Sequence, residues 1–409
     1  MYLLRKLLIY TLCILCHIPA FSQEVMNIKK IADEALEQSK VASLKRLIAD
    51  ADLTLKVQAL SVTDNPPMPA SKDIHDYYSW SPYSWPNPNA KDSLSYITKD
   101  GETNPETEKV SDKPLLRKMS VSVHTLALAY HFTKDKRYAQ KSAELIRTWF
   151  LNPKTKMNPN LNFGQCKPGV EVGTPTGIID SRWFILVIDA QEMLQGADVF
   201  QEAERRELKV WFNTFLNWLL TSEIGKEEGK KKNNHGTWYA AQTAYYALYT
   251  GDNQLATKIV SDSKKFFDTQ IDSMGRQIYE LNRTKSYDYS LYNVHALITL
   301  AKVGSKVGID LWHYNTDNGN SKNILESIKY LAGFVEPGSI WPFKQITDKA
   351  ISLDVDDGGH FSVYYPYDLY SALLSYYHVY KDASLLNLLR KLSEGVAKEN
   401  RANLLVFRK

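Results

Sequence analysis

The stretch PLLRKMSVSVHTLALAYHFTKDKRYAQKSAELIRTWF, residues Pro114–Phe150, decides the fold class. Its first part carries apolar residues at helical spacing: Leu116, Met119, Val123, Leu126, Ala127 and Tyr130. Lys134-Asp135-Lys136 then interrupts the pattern, and a second apolar run returns over Ala139–Phe150. Because this spacing is typical of one buried helix face, the stretch predicts two antiparallel helices joined by a tight turn.

The same pattern recurs later in the chain, at Trp238–Tyr249 and Ala256–Phe267, on either side of the turn Thr250–Asn253. Further helical candidates are Val25–Ala49, Arg182–Leu194, Ala203–Leu220, Ser290–Val307, Lys322–Phe334, Asp368–Val379 and Leu385–Val396. Strand-like alternation is scarce, and the hairpins lack the strict repeat of about 34 residues of a tetratricopeptide array. Of the two remaining architectures, a solenoid and a closed ring, we predict the ring. The predicted fold is all-α, an incomplete (α/α) toroid of about five to seven helical hairpins.

Two long segments, Asp64–Lys113 and Asn152–Asp180, interrupt the helical pattern. The first contains Trp80, Tyr83 and Trp85 among several prolines, and a disordered linker would not carry so many rings. We therefore predict ordered binding loops that line one face of the toroid. The three aromatic side chains could stack on sugar rings, or they could pack as a cover over the toroid.

The composition favours a large core and a polar ligand. The chain has 409 residues, of which 44% are hydrophobic and 12% aromatic, with 25 tyrosines. The 50 basic and 46 acidic residues give a formal charge of +4, too balanced for a dedicated nucleic-acid-binding protein. Beyond the N-terminus no uninterrupted apolar run reaches about 20 residues, so membrane insertion is not predicted.

The N-terminus has the features of a secretory signal. Arg5 and Lys6 precede a short apolar run, and Ala20-Phe21-Ser22 offers small residues to a signal peptidase. The sequence therefore predicts a signal peptide over residues 1–22 and a single domain over residues 23–409. It also predicts export to the periplasm or to the medium.

Cysteines and acidic clusters give little support for a metal site. Cys13 and Cys16 lie in the predicted signal peptide, so Cys166 alone would remain, without a disulfide or a cysteine-rich zinc site. The run Asp354–His360 lacks the register of a calcium-binding loop and is better explained by a turn with solvated carboxylates. No nucleotide-binding glycine motif occurs, and neither a metal nor a cofactor is predicted.

The candidate chemistry lies at the predicted starts of two helices. Asn234 and His235 begin one, where unpaired backbone N–H groups favour an anion, and Arg283 and Lys285 precede Tyr289 at the start of another. This set suits β-elimination from a uronic acid. Asn234, His235 and Arg283 can neutralise the carboxylate beside the acidic C5 proton, and Tyr289 can remove that proton and then protonate the leaving oxygen.

Each of these residues also has an ordinary structural explanation. Asn and His before a helix often form a cap, and a single Arg or Tyr is commonly a solvated charge or a packing residue. In combination with Trp80–Pro88, Asn158–Asn160, Gly177–Asp180 and the run at 234–239, however, they resemble the alginate lyase superfamily of α/α-toroid polysaccharide lyases. The resemblance covers roughly Pro66–Tyr330.

The resemblance implies roles for individual residues. It implies that Asn234, His235 and Arg283 contact the uronate carboxylate and that Tyr289 acts as base and acid. Tyr287 remains a competitor for this role, and His235 could be neutraliser, base or both. The resemblance also implies a set of substrate-binding residues: Trp80, Tyr83, Trp85, Gln165, Arg182, Trp238, Tyr239 and Lys285. For Arg182, a pairing with Asp180 is an equal alternative.

The sequence thus predicts an exported lyase that cleaves an acidic polysaccharide or oligosaccharide by metal-independent β-elimination. Mannuronate-rich alginate is the first substrate, and glucuronan or another polyuronate is the second. The near-neutral total charge is interpreted as hiding a local cationic pocket around His235, Arg283 and Lys285. A glycoside hydrolase on the same toroid is one alternative, and its candidate acids are Asp73, Asp76, Asp180, Glu280 and Asp288. A non-catalytic glycan-binding protein is another alternative.

Overall fold

The computed structural model describes residues 34, 36–65, 67–90, 95–315, 322–335, 338–347, 354–356, 362–364, 368–381, 385–394 and 399–405. Those between Leu47 and Leu369 form one compact unit, and those up to Arg46 and from Tyr370 form another. The predicted signal peptide lies outside the described residues, and the single domain over residues 23–409 stays a prediction. None of the described helices is both long and apolar enough to span a bilayer.

The described helices, in chain order, are α1 (residues 36–54), α2 (Pro105–Lys109), α3 (Lys113–Thr133), α4 (Lys136–Ile146), α5 (Phe184–Met193), α6 (Glu202–Thr221), α7 (Glu223–Glu228), α8 (Asn234–Thr250), α9 (Asn253–Asp262), α10 (Lys264–Gln270), α11 (Ser286–Val307), α12 (Ile324–Ala332), α13 (Leu369–Tyr380), α14 (Leu386–Glu394) and α15 (Ala402–Leu405). Shorter turns of other helix types occupy Val62–Asp64, Arg147–Leu151 and Pro175–Trp183. The prediction of a helical fold is confirmed.

The hairpin formed by α3 and α4 matches the stretch that predicted it. All six apolar positions quoted above for α3 are buried. Lys134 ends α3 in a left-handed conformation, with a φ of 59°. The Asp135 side chain then caps α4 by accepting a hydrogen bond from the Arg137 N–H at 2.9 Å. The turn therefore results from its own residues, and the apolar faces of α3 and α4 pack on each other.

The second hairpin begins at α8 and differs from its prediction in one respect. Gly251, at a φ of 97°, ends α8, and Asp252 caps α9 through the Leu255 N–H. The returning segment was predicted as one helix, but it forms α9 and α10, which meet at Ser263. Helix α8 packs against α6, α9 and α11, which brings the starts of α8 and α11 into one region.

Short strands occur inside the two segments predicted as loops: β1 (Tyr78–Trp80), β2 (Ser84–Pro86), β3 (Tyr96–Thr98) and β4 (Phe163–Cys166). Strand β1 pairs in parallel with β4, so the two segments are joined to each other. Strands β2 and β3 form an antiparallel hairpin in which Trp85 lies opposite Ile97. Both segments are therefore ordered in the described residues, as expected from their aromatic content.

A third strand pair, β5 (Asp354–Asp356) and β6 (Ser362–Tyr364), coincides with the acidic run. Asp354–Asp356 was predicted as part of a turn, but it is a strand, and residues 357–360 of that run lie outside the described residues. The one cysteine in the described part of the chain, Cys166, is buried and free.

Candidate functional site

Asn234 and His235 occupy the first turn of α8, and their neighbour Asn233 supplies the helix cap. The Asn233 side chain accepts a hydrogen bond from the His235 N–H. Capping therefore does not use the side chains of the two candidates. Asn234 is 1% exposed, and the His235 side chain is 19% exposed.

Glu280 fixes the orientation of Asn234. Its Oε1 atom accepts hydrogen bonds from the Asn234 backbone N–H at 2.7 Å and from the Asn234 Nδ2 at 2.9 Å. Glu280 is 1% exposed. Burial raises its pKa, although the two hydrogen bonds from Asn234 and the charge of Arg283 oppose the shift. Among the described residues, the Asn234 Nδ2 atom donates to Glu280 alone, which leaves its second hydrogen unused.

A second buried acid, Glu228, fixes His235. The Glu228 Oε1 atom lies 2.6 Å from the His235 Nδ1 atom, and the Glu228 side chain is 1% exposed. A carboxylate that is ionised only accepts hydrogen bonds, and opposite such a group the Nδ1 atom is the donor. The Nε2 atom is then the one that can serve a ligand. Glu228 is the last residue of α7.

Arg283 is held by Asp100. The Arg283 Nη2 atom donates to Asp100 Oδ1 at 2.6 Å, and the Nε atom donates to Asp100 Oδ2 at 3.1 Å. The guanidinium carbon lies 3.8 Å from the centre of the Tyr289 ring. This distance is typical of a stacked cation–π pair, so Asp100, Arg283 and Tyr289 form one assembly.

The Tyr289 hydroxyl lies 2.6 Å from the Tyr83 hydroxyl. Burial and the neighbouring Tyr83 raise the pKa of Tyr289 well above its ordinary value, and Arg283 offsets only part of this shift. Tyr289 is therefore a neutral phenol in the unliganded protein. Tyr83 was predicted to stack on a sugar, and this contact gives it a second potential role.

The candidate residues are joined through one contact, between Glu280 and Arg283. The Arg283 Nη1 atom lies 3.7 Å from the Glu280 Oε2 atom, and Glu280 is also the partner of Asn234. The structure thus brings Asn234, Arg283 and Tyr289 into one continuous network, with His235 beside Asn234.

The electrostatics differ from the predicted cationic pocket. Asp100 pairs with Arg283, and Glu228 pairs with His235. Glu280 lies beside both of these pairs and contributes a third acidic group. The prediction of a cationic pocket is therefore wrong, because Asp100, Glu228 and Glu280 place three acidic groups beside Arg283, His235 and Asn234.

Tyr287, the competitor of Tyr289, belongs to the core. It has no exposed surface, its hydroxyl donates to the Leu331 carbonyl at 3.3 Å, and its ring packs edge-on against Trp341. A ligand in the described structure cannot reach this hydroxyl. Of the two tyrosines, Tyr289 alone contacts the Arg283 guanidinium.

The two tryptophans of the first long segment are partly exposed. The Trp80 indole N–H donates to the Tyr78 hydroxyl at 2.6 Å. The Trp85 indole N–H donates to the Glu102 carbonyl, and the Lys99 ammonium lies 4.5 Å from its ring centre. Both rings have local partners, so neither is a loose surface group.

Gln165 and Arg182 lie next to the buried Asp180. The Gln165 Nε2 atom donates to Asp180 at 3.2 Å, and the hydroxyls of Tyr77 and Ser79 donate to the same carboxylate. Gln165 therefore supports the β1–β4 contact between the two long segments. The Arg182 guanidinium lies 4.7 Å from the Trp183 ring centre and 5.2 Å from that of Tyr292.

Trp238 was predicted to bind substrate, but it is wholly buried, with its ring centre 5.0 Å from that of Tyr292. Trp238 is a core residue, because it lies on the face of α8 that packs into the protein interior. Tyr239 is partly buried and donates its hydroxyl to the Leu219 carbonyl at 2.8 Å. Burial, with a contribution from Glu228, raises the Tyr239 pKa to about 12.

Lys285 remains partly exposed next to Arg283.

The acids proposed for a hydrolase have other partners. Asp73 and Asp76 accept hydrogen bonds from Asn158 within the long segments, whereas Glu280 supports Asn234. Within the described ranges, no group of three or more His, Cys, Asp or Glu side chains could hold a metal ion.

Sequence reasoning missed Glu228 and Asp100. Glu228 precedes His235 by 7 residues, and its only signal was a pair of acids, Glu227 and Glu228, before a basic run that leads into a helix. Asp100 lies 183 residues from Arg283, and no local pattern indicates that they meet.

Comparisons with known proteins identify a matching family model and similar folds. A family model described as "Alginate lyase" matches residues 61–341. The crystal structure of an alginate lyase from Bacteroides ovatus is 32% identical, with a TM-score of 0.81, over 93% of this chain and 98% of that one. The apo form of a histidine variant of alginate lyase A1-III, an enzyme of Sphingomonas species A1, is 15% identical. Its TM-score is 0.53 over 90% of this chain and 96% of that one, and this similarity concerns the fold alone. The predicted (α/α) toroid is confirmed. Among curated proteins, no match was found.

Proposed function

The chain belongs to the alginate lyase family, a family of polysaccharide lyases, and we propose that it cleaves alginate, preferentially in mannuronate-rich stretches, by β-elimination. The network that links Asn234, Glu280, Arg283 and Tyr289 carries this proposal. It joins an amide, a guanidinium and a phenol through contacts of 2.9, 3.7 and 3.8 Å. Glucuronan or another polyuronate is the second substrate class.

Elimination begins with removal of the C5 proton beside the uronate carboxylate. The resulting intermediate carries extra negative charge, so it forms only if hydrogen bonds and positive charge compensate the carboxylate. We assign this compensation to the second Nδ2 hydrogen of Asn234, to the Nη1 group of Arg283 and, when the imidazole is protonated and both of its nitrogens donate, to the Nε2–H of His235. Each of these groups is oriented by a carboxylate that binds its other side.

Tyr289 is the proposed base and acid. Its phenol is neutral at rest because burial and Tyr83 raise its pKa, whereas Arg283 lowers it. A sugar that replaces the Tyr83 hydroxyl as the partner of Tyr289 would remove one of the raising contributions and leave the guanidinium in place. The phenol first releases its own proton to water, and the phenolate that results accepts the C5 proton and passes it to the leaving C4 oxygen.

A second assignment of the base has support of its own. The hydrogen on the His235 Nδ1 atom leaves an acceptor at Nε2 when the ring is neutral, and the raised pKa of Tyr289 suits a proton donor. In this version His235 removes the proton and Tyr289 protonates the leaving group. The two versions approach C5 from different sides and therefore suit different uronate epimers.

A panel of substrates tests the proposal. Purified protein is mixed with mannuronate-rich alginate, guluronate-rich alginate and glucuronan, while ultraviolet absorbance and new reducing ends are followed together. We expect both signals to rise in parallel, fastest with mannuronate-rich alginate. Reducing ends without absorbance would indicate hydrolysis, and polymer binding without either signal would indicate a glycan-binding protein.

A pair of variants tests the assignment of Tyr289. We expect Tyr289→Phe to lower kcat by about 1,000-fold, the range of general acid–base catalysis. Tyr287→Phe is the matched control, because its hydroxyl is buried and donates to the Leu331 carbonyl in the core, and its kcat should stay within a few-fold of wild type. Equal activity of the two variants would rule out Tyr289 as base and acid.

We also propose that cleavage takes place after export, in the periplasm or outside the cell. The basic and apolar pattern of residues 1–22 supports this location. Removal of these residues in the secreted protein, read by N-terminal sequencing, would test it.

A further inference from the structure

The hairpin formed by β2 and β3 contacts the segment that leads into α11 at two points. Tyr83, just before β2, meets the Tyr289 hydroxyl. Asp100, just after β3, binds Arg283 and also accepts hydrogen bonds from the Thr284 backbone N–H at 3.0 Å and hydroxyl at 3.0 Å. One short hairpin therefore reaches both the guanidinium and the phenol of the proposed site.

We propose that Asp100 is a positioning residue, which holds the Arg283 guanidinium against the Tyr289 ring and keeps its 3.7 Å contact with Glu280 from closing to a direct hydrogen bond. The proposal rests on the function proposed above for Arg283 and Tyr289. Asp100 does not touch the substrate in this scheme, and it acts through the position of the cation.

The edge of the guanidinium that Asp100 occupies supports the proposal. Asp100 takes the Nε and Nη2 edge, whereas the Nη1 atom points toward Glu280 at 3.7 Å and has no partner within hydrogen-bonding distance among the described residues. A guanidinium offers five donors in a fixed plane. With one edge filled, the uronate carboxylate can meet Arg283 through its Nη1 side, the side nearer to Asn234.

Glu280 is the competing partner. Its Oε2 atom is buried and has no hydrogen-bond partner in the described structure. A buried carboxylate oxygen without a partner attracts a nearby cation strongly. Without Asp100, we expect Arg283 to move across the 3.7 Å gap to Glu280. That movement takes the guanidinium away from the Tyr289 ring. It also pairs the Nη1 group with Glu280, so that this group can no longer donate to the substrate.

The backbone next to Asp100 allows the hairpin to lie close to Thr284. The next residue, Gly101, has a φ of 75°, and a Cβ atom there would lie 2.4 Å from the Thr284 hydroxyl. The Thr284 hydroxyl also donates to the Asp100 carbonyl at 2.6 Å. A larger residue at 101 would push the hairpin away, so a glycine permits the contact.

Thr284 provides the matched control, because Asp100 could instead serve only to anchor the hairpin. Thr284→Val removes the hydroxyl hydrogen bonds to Asp100 but keeps the bonds between Asp100 and Arg283. Asp100→Asn keeps the side-chain size, but its amide nitrogen would face the N–H donors of Arg283 or Thr284 and break the paired contact. The two variants therefore separate anchoring from positioning.

The kinetic test measures kcat, KM and the pH dependence of kcat with the best polyuronate. We expect Asp100→Asn to lower kcat by about 100-fold, the cost of a small misplacement in a site, with a smaller change in KM. The loss should shrink as pH rises, because Tyr289 without the guanidinium needs a higher pH to release its proton. Thr284→Val should stay within a few-fold of wild type, with an unchanged pH profile.

Crystal structures of both variants give a readout that does not depend on activity. In Asp100→Asn we expect Arg283 to leave the Tyr289 ring and approach Glu280, and in Thr284→Val we expect it to stay. Arg283 unmoved in Asp100→Asn, or an equal, pH-independent loss in both variants, would overturn the proposal. If the wild-type protein releases no unsaturated product, the proposed function fails, and the structures alone decide the role of Asp100.

Discussion

The two halves of the candidate site are built differently. The inner half consists of Asn234 and His235 with their acids Glu280 and Glu228, which are each 1% exposed. The outer half consists of Arg283 and Tyr289 with Asp100 and Tyr83 from the long segment, and Asp100 is 30% exposed. Partners in the inner half are 46 and 7 residues apart. Partners in the outer half are 183 and 206 residues apart.

The side chains of the two halves are therefore held in place in two different ways. Helix starts and buried acids, which belong to the packed interior, fix the inner half. The β2–β3 hairpin contacts the start of α11 and completes the outer half. Its acid, Asp100, is accessible to water. Loss of a contact should therefore cost more stability in the inner half than in the outer half, because a buried charge cannot be solvated after its partner is removed.

The largest expected effect concerns stability in the inner half. His235→Ala leaves the Glu228 carboxylate buried without its partner, and we expect a loss of about 3 kcal/mol in the free energy of unfolding. Arg283→Ala leaves Asp100 accessible to water, and we expect a loss of about 1 kcal/mol. Denaturant titration measures both values.

Neutralisation of Glu228 is the control for this comparison. The double variant with His235→Ala and Glu228→Gln should recover most of the stability lost in His235→Ala, because no buried charge remains. Equal losses for His235→Ala and Arg283→Ala, or no recovery in the double variant, would contradict the distinction between the halves.

The next effect concerns Asp112, which lies in the same long segment as Tyr83 and Asp100 and accepts a hydrogen bond from the Tyr78 N–H at 2.7 Å. Burial raises the pKa of Asp112 from 3.8 to about 7. The folded protein then keeps a proton that the unfolded chain has released, so the free energy of unfolding falls as pH rises from about 4 to about 7. Between pH 5 and 7 this contribution amounts to about 2 kcal/mol.

Asp112→Asn should flatten this pH dependence, since an amide does not titrate. Denaturant titrations of wild type and variant at several pH values would measure the difference, and the gain of the variant should be largest near neutral pH. Identical pH profiles of the two proteins would show that Asp112 is not a buried titrating group.

The smallest expected effect concerns the phenol pair of the outer half. Tyr83 raises the pKa of Tyr289, so Tyr83→Phe should lower that pKa and shift the rising part of the pH–activity profile to lower pH. We expect the change in kcat to stay below about 10-fold, the loss of one neutral hydrogen bond. A loss as large as that of Tyr289→Phe would instead place Tyr83 among the residues that transfer the proton.

The helices were predictable because their signals are local. Apolar spacing and turn residues such as Lys134–Lys136 and Gly251 specify a hairpin from a few dozen consecutive residues. The short strands β1 to β4 were missed for the opposite reason. Each has three or four residues, too few for a recognisable alternation, and β1 pairs with a segment far along the chain.

The candidate site divides in the same way. The chemistry of β-elimination identified Asn234, His235, Arg283 and Tyr289, because their side-chain types and helix-start positions can be read from the sequence. The cationic pocket and the substrate-binding role of Trp238 were wrong. The cationic pocket was predicted without knowledge of the acids that other segments bring beside it. The role of Trp238 was predicted without knowledge of which face of its helix is packed in the core.

By itself, the sequence indicated the helical class, the family and the four candidate side chains, because periodicity and residue type act over short distances along the chain. The tertiary structure alone decided which acid holds which group, which of Tyr287 and Tyr289 is accessible, and how the β2–β3 hairpin reaches Arg283. These features depend on burial and on contacts between distant segments. They take shape only when helix packing removes water and brings Asp100, Glu228 and Glu280 beside their partners.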